Sequence, residues 1–230
     1  MSILSGYTRG RPIVTRAKMS IAIAFVLTCT SFAAQAASDK PVKKIEEGLL
    51  DSIELYVATL PAPAERTVIV KPFTSEKAEL GTGSKEGDDN KAQGQAQRLQ
   101  TEGPQKLAEA LVATLKEEGS FKAASVAGGD PASADAGATL IIEGEFTELD
   151  PGSRAKRYFV GFGAGKAAVA VSGTVKDEKG TLLATFKQRR VATMGAAGGD
   201  SVKKMTDDCK SIGEDIAKFL SAWAKGKKLD

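Results

Sequence analysis

The stretch Lys166-Ala-Ala-Val-Ala-Val-Ser-Gly-Thr-Val-Lys176 alternates its side chains with a period of two. In an extended chain its three valines point to one side, and its serine and threonine point to the other, as in a half-buried β-strand. The next four residues, Asp177-Glu-Lys-Gly180, have the composition of a tight turn. The residues from Thr181 to Val191 then return as a partner strand, so this region predicts a β-hairpin.

The rest of the chain predicts a small number of further elements around this hairpin. The first half of the chain predicts a short helix over 43–57, a strand over 67–70 and a polar loop over 75–100. A helix over 104–118 and strands over 121–126 and 139–149 follow. These predictions rest on apolar spacing, on the positions of proline and glycine and on β-branched runs. Pro104 is placed in the first turn of its helix because proline is tolerated there. The predicted fold is therefore α+β, with a mixed, largely antiparallel sheet of about four or five strands and two main amphipathic helices.

The second main helix is predicted at the C-terminal end, with Asp200 or Ser201 as its cap. Seven apolar residues follow one another at spacings of three and four: Val202, Met205, Cys209, Ile212, Ile216, Phe219 and Trp223. Such a stripe lies on the sheet or forms a seam for self-association, and packing on the sheet is the favoured alternative. Cys209 falls inside the stripe, so it is expected to be a small buried side chain rather than a reactive thiol.

The composition excludes several classes of function. The chain has 230 residues, 32 basic and 29 acidic side chains, two cysteines and no histidine. Without histidine it cannot operate a Ser-His-Asp or Cys-His triad, and two thiols are too few for a thiolate zinc site or an iron–sulfur cluster. The sequence therefore predicts no catalytic residue, no metal ligand and no cofactor.

The first 36 residues are predicted to be a signal peptide. Four cations and no carboxylate lie within the first 18 residues, an uncharged stretch with an apolar centre follows, and Ala34-Gln35-Ala36 fits a cleavage site. Two alternatives are a retained membrane anchor over 19–37 and lipidation at Cys29. Cleavage would leave 28 basic and 29 acidic residues. The expected location is thus the periplasm or the exterior, and nucleic acid is not an expected partner.

The mature chain is predicted to consist of a helix and linker over 37–64 and a single α/β domain over 65–230. Within that domain, a glycine-rich segment and the cations around it form a candidate contact surface: Arg154, Lys156, Arg157, Gly161, Gly163, Gly165 and Lys166. The alternating glycines leave one side of an extended segment bare, and the cations suit an anionic lipid headgroup. Tight packing inside the domain and a solvated strand edge are the alternatives. The glycine spacing matches neither a phosphate-binding loop nor a dinucleotide-binding turn, so no nucleotide is expected.

Several segments resemble a family of bacterial exported proteins that is catalogued as domain of unknown function 4410. The resemblance rests on Val68–Phe73, Ile141–Phe146, Gly152–Tyr158, Gly161–Gly165 and the Asp177-x-x-Gly180 turn. More distantly, the order of elements is similar to the periplasmic part of the curli-secretion channel subunit and to the amino-terminal domain of the TolB translocation protein. The resemblance implies an envelope location and this fold, and it supplies no catalytic residue.

These observations predict a non-enzymatic exported protein, an accessory in cell-envelope assembly that acts through protein–protein contacts. Its expected partner is an envelope protein or a second copy of itself. One alternative is a subunit of an outer-membrane secretion or lipid-transport assembly. A second is a hydrolase that works without histidine, through serine or carboxylate groups.

Overall fold

The computed structural model describes residues 40–80, 86–128, 139–151, 166–191 and 201–230. All of them belong to one unit of the chain, Ala36–Asp230. The strands are β1 Lys43–Glu46, β2 Ser52–Leu55, β3 Thr67–Val70, β4 Glu79–Leu80, β5 Ala123–Val126, β6 Thr139–Asp150, β7 Ala168–Asp177 and β8 Leu182–Val191. The helices are a short 3-10 turn, Pro63–Glu65, and two α-helices, α1 Glu86–Glu118 and α2 Ser201–Ala224.

The predicted hairpin is confirmed as β7 and β8, which pair antiparallel along almost their whole length. The turn is closed by the Asp177 carboxylate, whose Oδ1 accepts hydrogen bonds from the backbone N–H of Lys179 at 2.9 Å and of Thr181 at 2.7 Å. Gly180 has a φ of 81°, which glycine adopts without the steric cost that other residues meet. The side chain of Asp177 and the backbone of Gly180 therefore fix the register between β7 and β8.

All eight strands belong to one mixed sheet with the order β1-β2-β8-β7-β6-β3-β5, and β4 pairs with β6. The strands from β1 to β6 along this path pair antiparallel, whereas β3 is parallel to both of its neighbours. The predicted α+β class and mixed sheet are confirmed. The predicted count of four or five strands is wrong, because β1 and β2 lie in the segment predicted as a helix and β4, with two residues, lies in the segment predicted as a loop.

The predicted helix over 43–57 is wrong, since β1 and β2 occupy this segment. Helical spacing of Ile45, Leu49 and Ile53 suggested the helix, but Leu49 remains 40% exposed. The residues that become buried in β2 are Ile53 and Leu55, which pair with Phe186 and Ala184 of β8. Sheet pairing with β8 thus overrides a weak local helical pattern.

The predicted loop over 75–100 is also wrong, because α1 begins at Glu86 rather than at Pro104. Glutamine, alanine, lysine and glutamate favour helix formation even where large apolar residues are few. Ala96 and Leu99 are fully buried and extend the stripe that continues through Leu107. Pro104 therefore lies inside α1 and does not start it.

The apolar stripe of α2 is buried along its full length, as expected for a helix that lies on the sheet. The helix approaches α1 closely at Gly213, where an added Cβ would stand 2.4 Å from the carbonyl oxygen of Leu107. Cys209 is fully buried in this interface, and burial, with the nearby Asp208 charge, raises the pKa of its thiol to about 12. The prediction of an unreactive buried cysteine agrees with this environment.

A row of aromatic side chains connects the sheet with α2. The ring of Phe186 lies between those of Phe73 and Phe219, with centroid separations of 6.4 and 6.3 Å, and Phe219 stacks on Trp223 at 5.9 Å. Space for the Phe186 ring exists because its neighbour in β7 is Gly173, whose added Cβ would lie 2.3 Å from the ring. On the same face, an added Cβ at Gly103 of α1 would lie 3.6 Å from the ring of Phe146 in β6, so both helices cover one face of the sheet.

Within the described ranges, neither α-helix combines the length and the apolar character that crossing a bilayer requires.

Candidate functional site

The face of the sheet opposite the two helices carries polar and charged side chains, and we call it the open face. Two rows of residues cross it from β1 toward β3 and are aligned by strand register. The first row is Lys44, Glu54, Thr185, Thr174 and Glu143, and the second is Glu46, Ser52, Lys187, Ser172 and Glu145. In the described part of the chain, the helices contribute no residue to this surface.

Glu143 is the centre of an ion-pair network on the open face. Its carboxylate accepts a hydrogen bond from the Lys71 ammonium at 2.8 Å and another from the Lys176 ammonium. These two interactions, first that with Lys176 and then that with Lys71, lower the pKa of the Glu143 carboxyl below its ordinary value. Glu143 is therefore ionised and doubly paired at neutral pH.

A second ion pair lies on the same face, nearer to the end of β6. Arg189 of β8 holds Glu148 through two hydrogen bonds, from Nε at 2.6 Å and from Nη2 at 3.0 Å. The hydrogen bond to Glu148 raises the pKa of the Arg189 guanidinium. This bidentate pair spans β7, so it connects side chains of two strands that are not neighbours in the sheet.

Between β3 and β8 the open face forms a shallow groove with a volume of about 590 Å³. Its walls carry both signs of charge, from Lys71, Lys187 and Glu145, and its floor includes Ser172 and Thr174. The hydroxyl oxygen of Thr174 is shielded from solvent and has no hydrogen-bond partner among the described residues. Because cations and carboxylates alternate here, the groove suits a polar surface of mixed charge better than a polyanion.

Most of the predicted contact surface lies outside the described residues: Arg154, Lys156, Arg157, Gly161, Gly163 and Gly165. Lys166 is described, and it is exposed two residues before β7 begins. The structure therefore does not test whether these seven residues form one surface, and the contact surface stays a prediction. In the described ranges, no group of three or more histidine, cysteine, aspartate or glutamate side chains is placed to hold a metal ion.

Sequence reasoning missed the open face as a site. The signal was present in β6, where Glu143 and Glu145 alternate with buried Ile142 and Phe146, and Glu148 joins the two carboxylates after a register shift between Phe146 and Glu148. Such alternation predicts one solvated face, but it does not say which lysines of other strands will meet these carboxylates. Lys71 lies 72 residues before Glu143. The Lys71–Glu143 ion pair therefore depends on the parallel pairing of β3 with β6.

Comparison with known proteins gives one family and several distant folds. Residues 68–196 match the family model described as Domain of unknown function (DUF4410). Similar solved structures include a PelC dodecamer from Paraburkholderia phytofirmans, with 13% identity over 76% of this chain and 97% of that chain and a TM-score of 0.41. Another is an uncharacterized protein, with 16% identity over 70% of this chain and 95% of that chain and a TM-score of 0.38. No curated protein matches the chain significantly.

Proposed function

We propose that this chain, which belongs to the DUF4410 family, is a non-enzymatic accessory protein of the bacterial cell envelope that binds a partner protein through the open face of its sheet. The observation that carries the proposal is the groove beside the Lys71–Glu143–Lys176 network. This network presents fixed charges of both signs on rigid strands, which is the arrangement that a specific protein contact uses to select its partner.

The electrostatics of the network support binding rather than proton transfer. A carboxylic acid that works as a general acid near neutral pH needs a raised pKa, which burial or a second carboxylate produces. The pKa of Glu143 is shifted the opposite way by its two lysines. Its carboxylate is therefore suited to holding charge and geometry at an interface.

Site-specific photo-crosslinking tests the binding role of the open face. A photoreactive amino acid at Lys187, exposed at the groove, should give one discrete adduct in cells of the native host. The same group at Lys116, exposed on α1, is the matched control and should not give that adduct. Equal labelling from both positions, or no adduct from Lys187, would contradict the proposal.

A charge reversal refines the same experiment. Glu145→Lys changes the charge of the groove without touching the Lys71–Glu143–Lys176 network, and it should reduce the yield of the Lys187 adduct several-fold. Glu117→Lys makes the same change on the exposed side of α1 and should leave the yield unchanged. Equal yields in both variants would show that the groove is not the contact surface.

The envelope location depends on the predicted signal peptide and needs its own measurement. We expect the mature protein to start at Ala37 by mass spectrometry and to leave the cells on osmotic shock. Retention in washed membranes would instead favour the subunit of a secretion or lipid-transport assembly. Intact protein that keeps Met1 in the cytoplasm would contradict the envelope role.

A further inference from the structure

The edge of β1 exposes hydrogen-bonding backbone groups that no other described strand covers, because β1 pairs only with β2 among the described residues. The backbone N–H of Glu47 donates to the carbonyl oxygen of Asp51 at 3.1 Å, in the same register as the pair of Ile45 with Ile53. Hydrogen-bonded pairs alternate along an antiparallel ladder. The N–H and C=O groups of Ile45 therefore face β2, and those of Lys44 and Glu46 face outward.

The charges around this edge are antisymmetric about Ile45. The sequence Lys43-Lys44-Ile45-Glu46-Glu47 has two cations before the isoleucine and two carboxylates after it. The four charged residues of this stretch are exposed, whereas Ile45 is buried. A strand with this pattern is complementary to itself when a second strand runs antiparallel to it.

We propose that β1 pairs with β1 of a second copy of this chain, antiparallel and about a two-fold axis at Ile45. The two sheets then join into one continuous sheet through four backbone hydrogen bonds, made by Lys44 and Glu46 of each copy. Lys44 of each copy stands opposite Glu46 of the other, and the two Ile45 residues meet at the axis. This inference goes beyond the proposed function because it concerns the edge of the sheet and not the groove.

Charge selects this register over its neighbours. Only registers that place outward-facing residues opposite one another can form the ladder. A shift by one residue in each copy toward the amino end places Lys44 opposite Lys44 of the second copy, and the opposite shift places Glu46 opposite Glu46. Both alternatives oppose like charges, which destabilises a cross-strand pair.

Apolar residues at the ends of β1 support the same pairing. Only three large apolar side chains are strongly exposed in the described part of the chain, and two of them, Val42 at 56% and Leu49 at 40%, flank β1. In the proposed register the Val42 end of β1 in one copy lies next to the turn that follows β1 in the second copy, and this turn carries Leu49. Pairing therefore brings together apolar surface that a single copy leaves in water.

The turn next to β1 is already fixed by hydrogen bonds within a single copy. Leu229 of the C-terminal tail is buried, and its carbonyl oxygen accepts a hydrogen bond from the N–H of Leu49 at 3.0 Å. On the other side, the Asp51 carboxylate accepts a hydrogen bond from the N–H of Arg189 at 2.6 Å. Because the turn of the β1–β2 hairpin is fixed by these two contacts and β2 is paired with β8, pairing does not require the strand to become ordered first.

Lysines on an edge strand usually discourage pairing with other strands. Here they do so selectively. Lys44 contacts Glu46 and Glu54 of its own copy, and a second copy adds an opposite charge across from each residue, whereas a strand with another charge pattern places like charges or apolar side chains there. A second copy of this chain is therefore the partner that matches the β1 edge.

Sedimentation velocity of the purified protein over a range of concentrations tests the proposal. We expect a reversible monomer–dimer equilibrium. Lys44→Glu and Glu46→Lys each place like charges opposite one another at both positions of the dimer, and each should weaken self-association at least about tenfold. The double variant Lys44→Glu/Glu46→Lys restores opposite charges and should dimerise about as well as the natural chain.

Mixing the two single variants gives the sharpest result. A copy with glutamate at both positions is complementary to a copy with lysine at both, so the mixture should form a heterodimer although neither variant dimerises alone. Glu178→Lys and Lys179→Glu, in the exposed β7–β8 turn, are matched controls and should not change the equilibrium. A strictly monomeric natural chain, or single variants that dimerise like it, would overturn the proposal, and circular dichroism confirms that each variant is folded.

Discussion

The two faces of the sheet are formed by alternate residues of the same strands, yet different forces hold them. On the core face, Phe186 of β8 is 1% exposed and packs among other aromatic rings. On the open face, the next residue, Lys187, is exposed at the groove. Burial of apolar area stabilises the first face, and screened ion pairs hold the second. The core face therefore determines whether the chain folds, and substitutions on the open face are expected to cost little stability.

The largest effect is expected from removing the central aromatic ring of the core face. Phe186→Ala should lower the free energy of unfolding by about 3–5 kcal/mol, because it removes a fully buried ring and leaves a cavity beside Gly173. Lys187→Ala, one residue further along the same strand, should change it by less than about 0.5 kcal/mol. Urea denaturation followed by circular dichroism measures both. Similar losses in the two variants would contradict the division of roles between the faces.

The contact between the helices that cover the core face gives the next largest effect. Gly213→Ala should lower the free energy of unfolding by about 1–3 kcal/mol, since the new Cβ meets the Leu107 carbonyl oxygen and forces the helices apart. Gly94→Ala is the matched substitution on the exposed side of α1, where an added Cβ meets nothing within 4 Å. It should raise the free energy of unfolding by about 0.5–1 kcal/mol, because alanine favours the helix. Opposite signs in denaturation curves are the expected result.

Elements with a strong local pattern were predictable from the sequence, and elements that depend on distant partners were not. β7, β8 and α2 carry long, regular periodicities, and all three are confirmed. β1 and β2 have four residues each and become strands because β2 pairs with the edge of β8 and β1 pairs in turn with β2. The first part of α1 looked like a loop because its side chains are polar, although its residue types favour a helix.

The candidate site was less predictable than the fold, for the same reason. The alternation in β6 shows that Glu143 faces solvent, but its ion-pair partners are Lys71, directly after β3, and Lys176 of β7. The register between β3 and β6 has no short-range signal, because parallel strands are joined by long connections. A sequence pattern can therefore identify the charged face of a strand before it can identify which charges meet.

The smallest effect is expected on the open face itself. Glu143→Gln removes the charge that Lys71 and Lys176 share, and it should lower the free energy of unfolding by less than about 1 kcal/mol, since all three side chains are partly exposed and screened by solvent. Because the pKa of Glu143 is lower in the folded state, its contribution is fully present at neutral pH and is lost as pH falls through that lowered value. The difference between the natural chain and Glu143→Gln should thus be largest near pH 7 and shrink in acid.

Added salt separates this electrostatic contribution from a change in packing. At 1 M salt the Debye length is about 3 Å, so the difference between the natural chain and Glu143→Gln at pH 7 should decrease. The loss in Phe186→Ala comes from apolar burial and should not decrease under the same conditions. If the Glu143→Gln difference persists unchanged in high salt and at low pH, Glu143 contributes through packing, and the open face would then share the role of the core face.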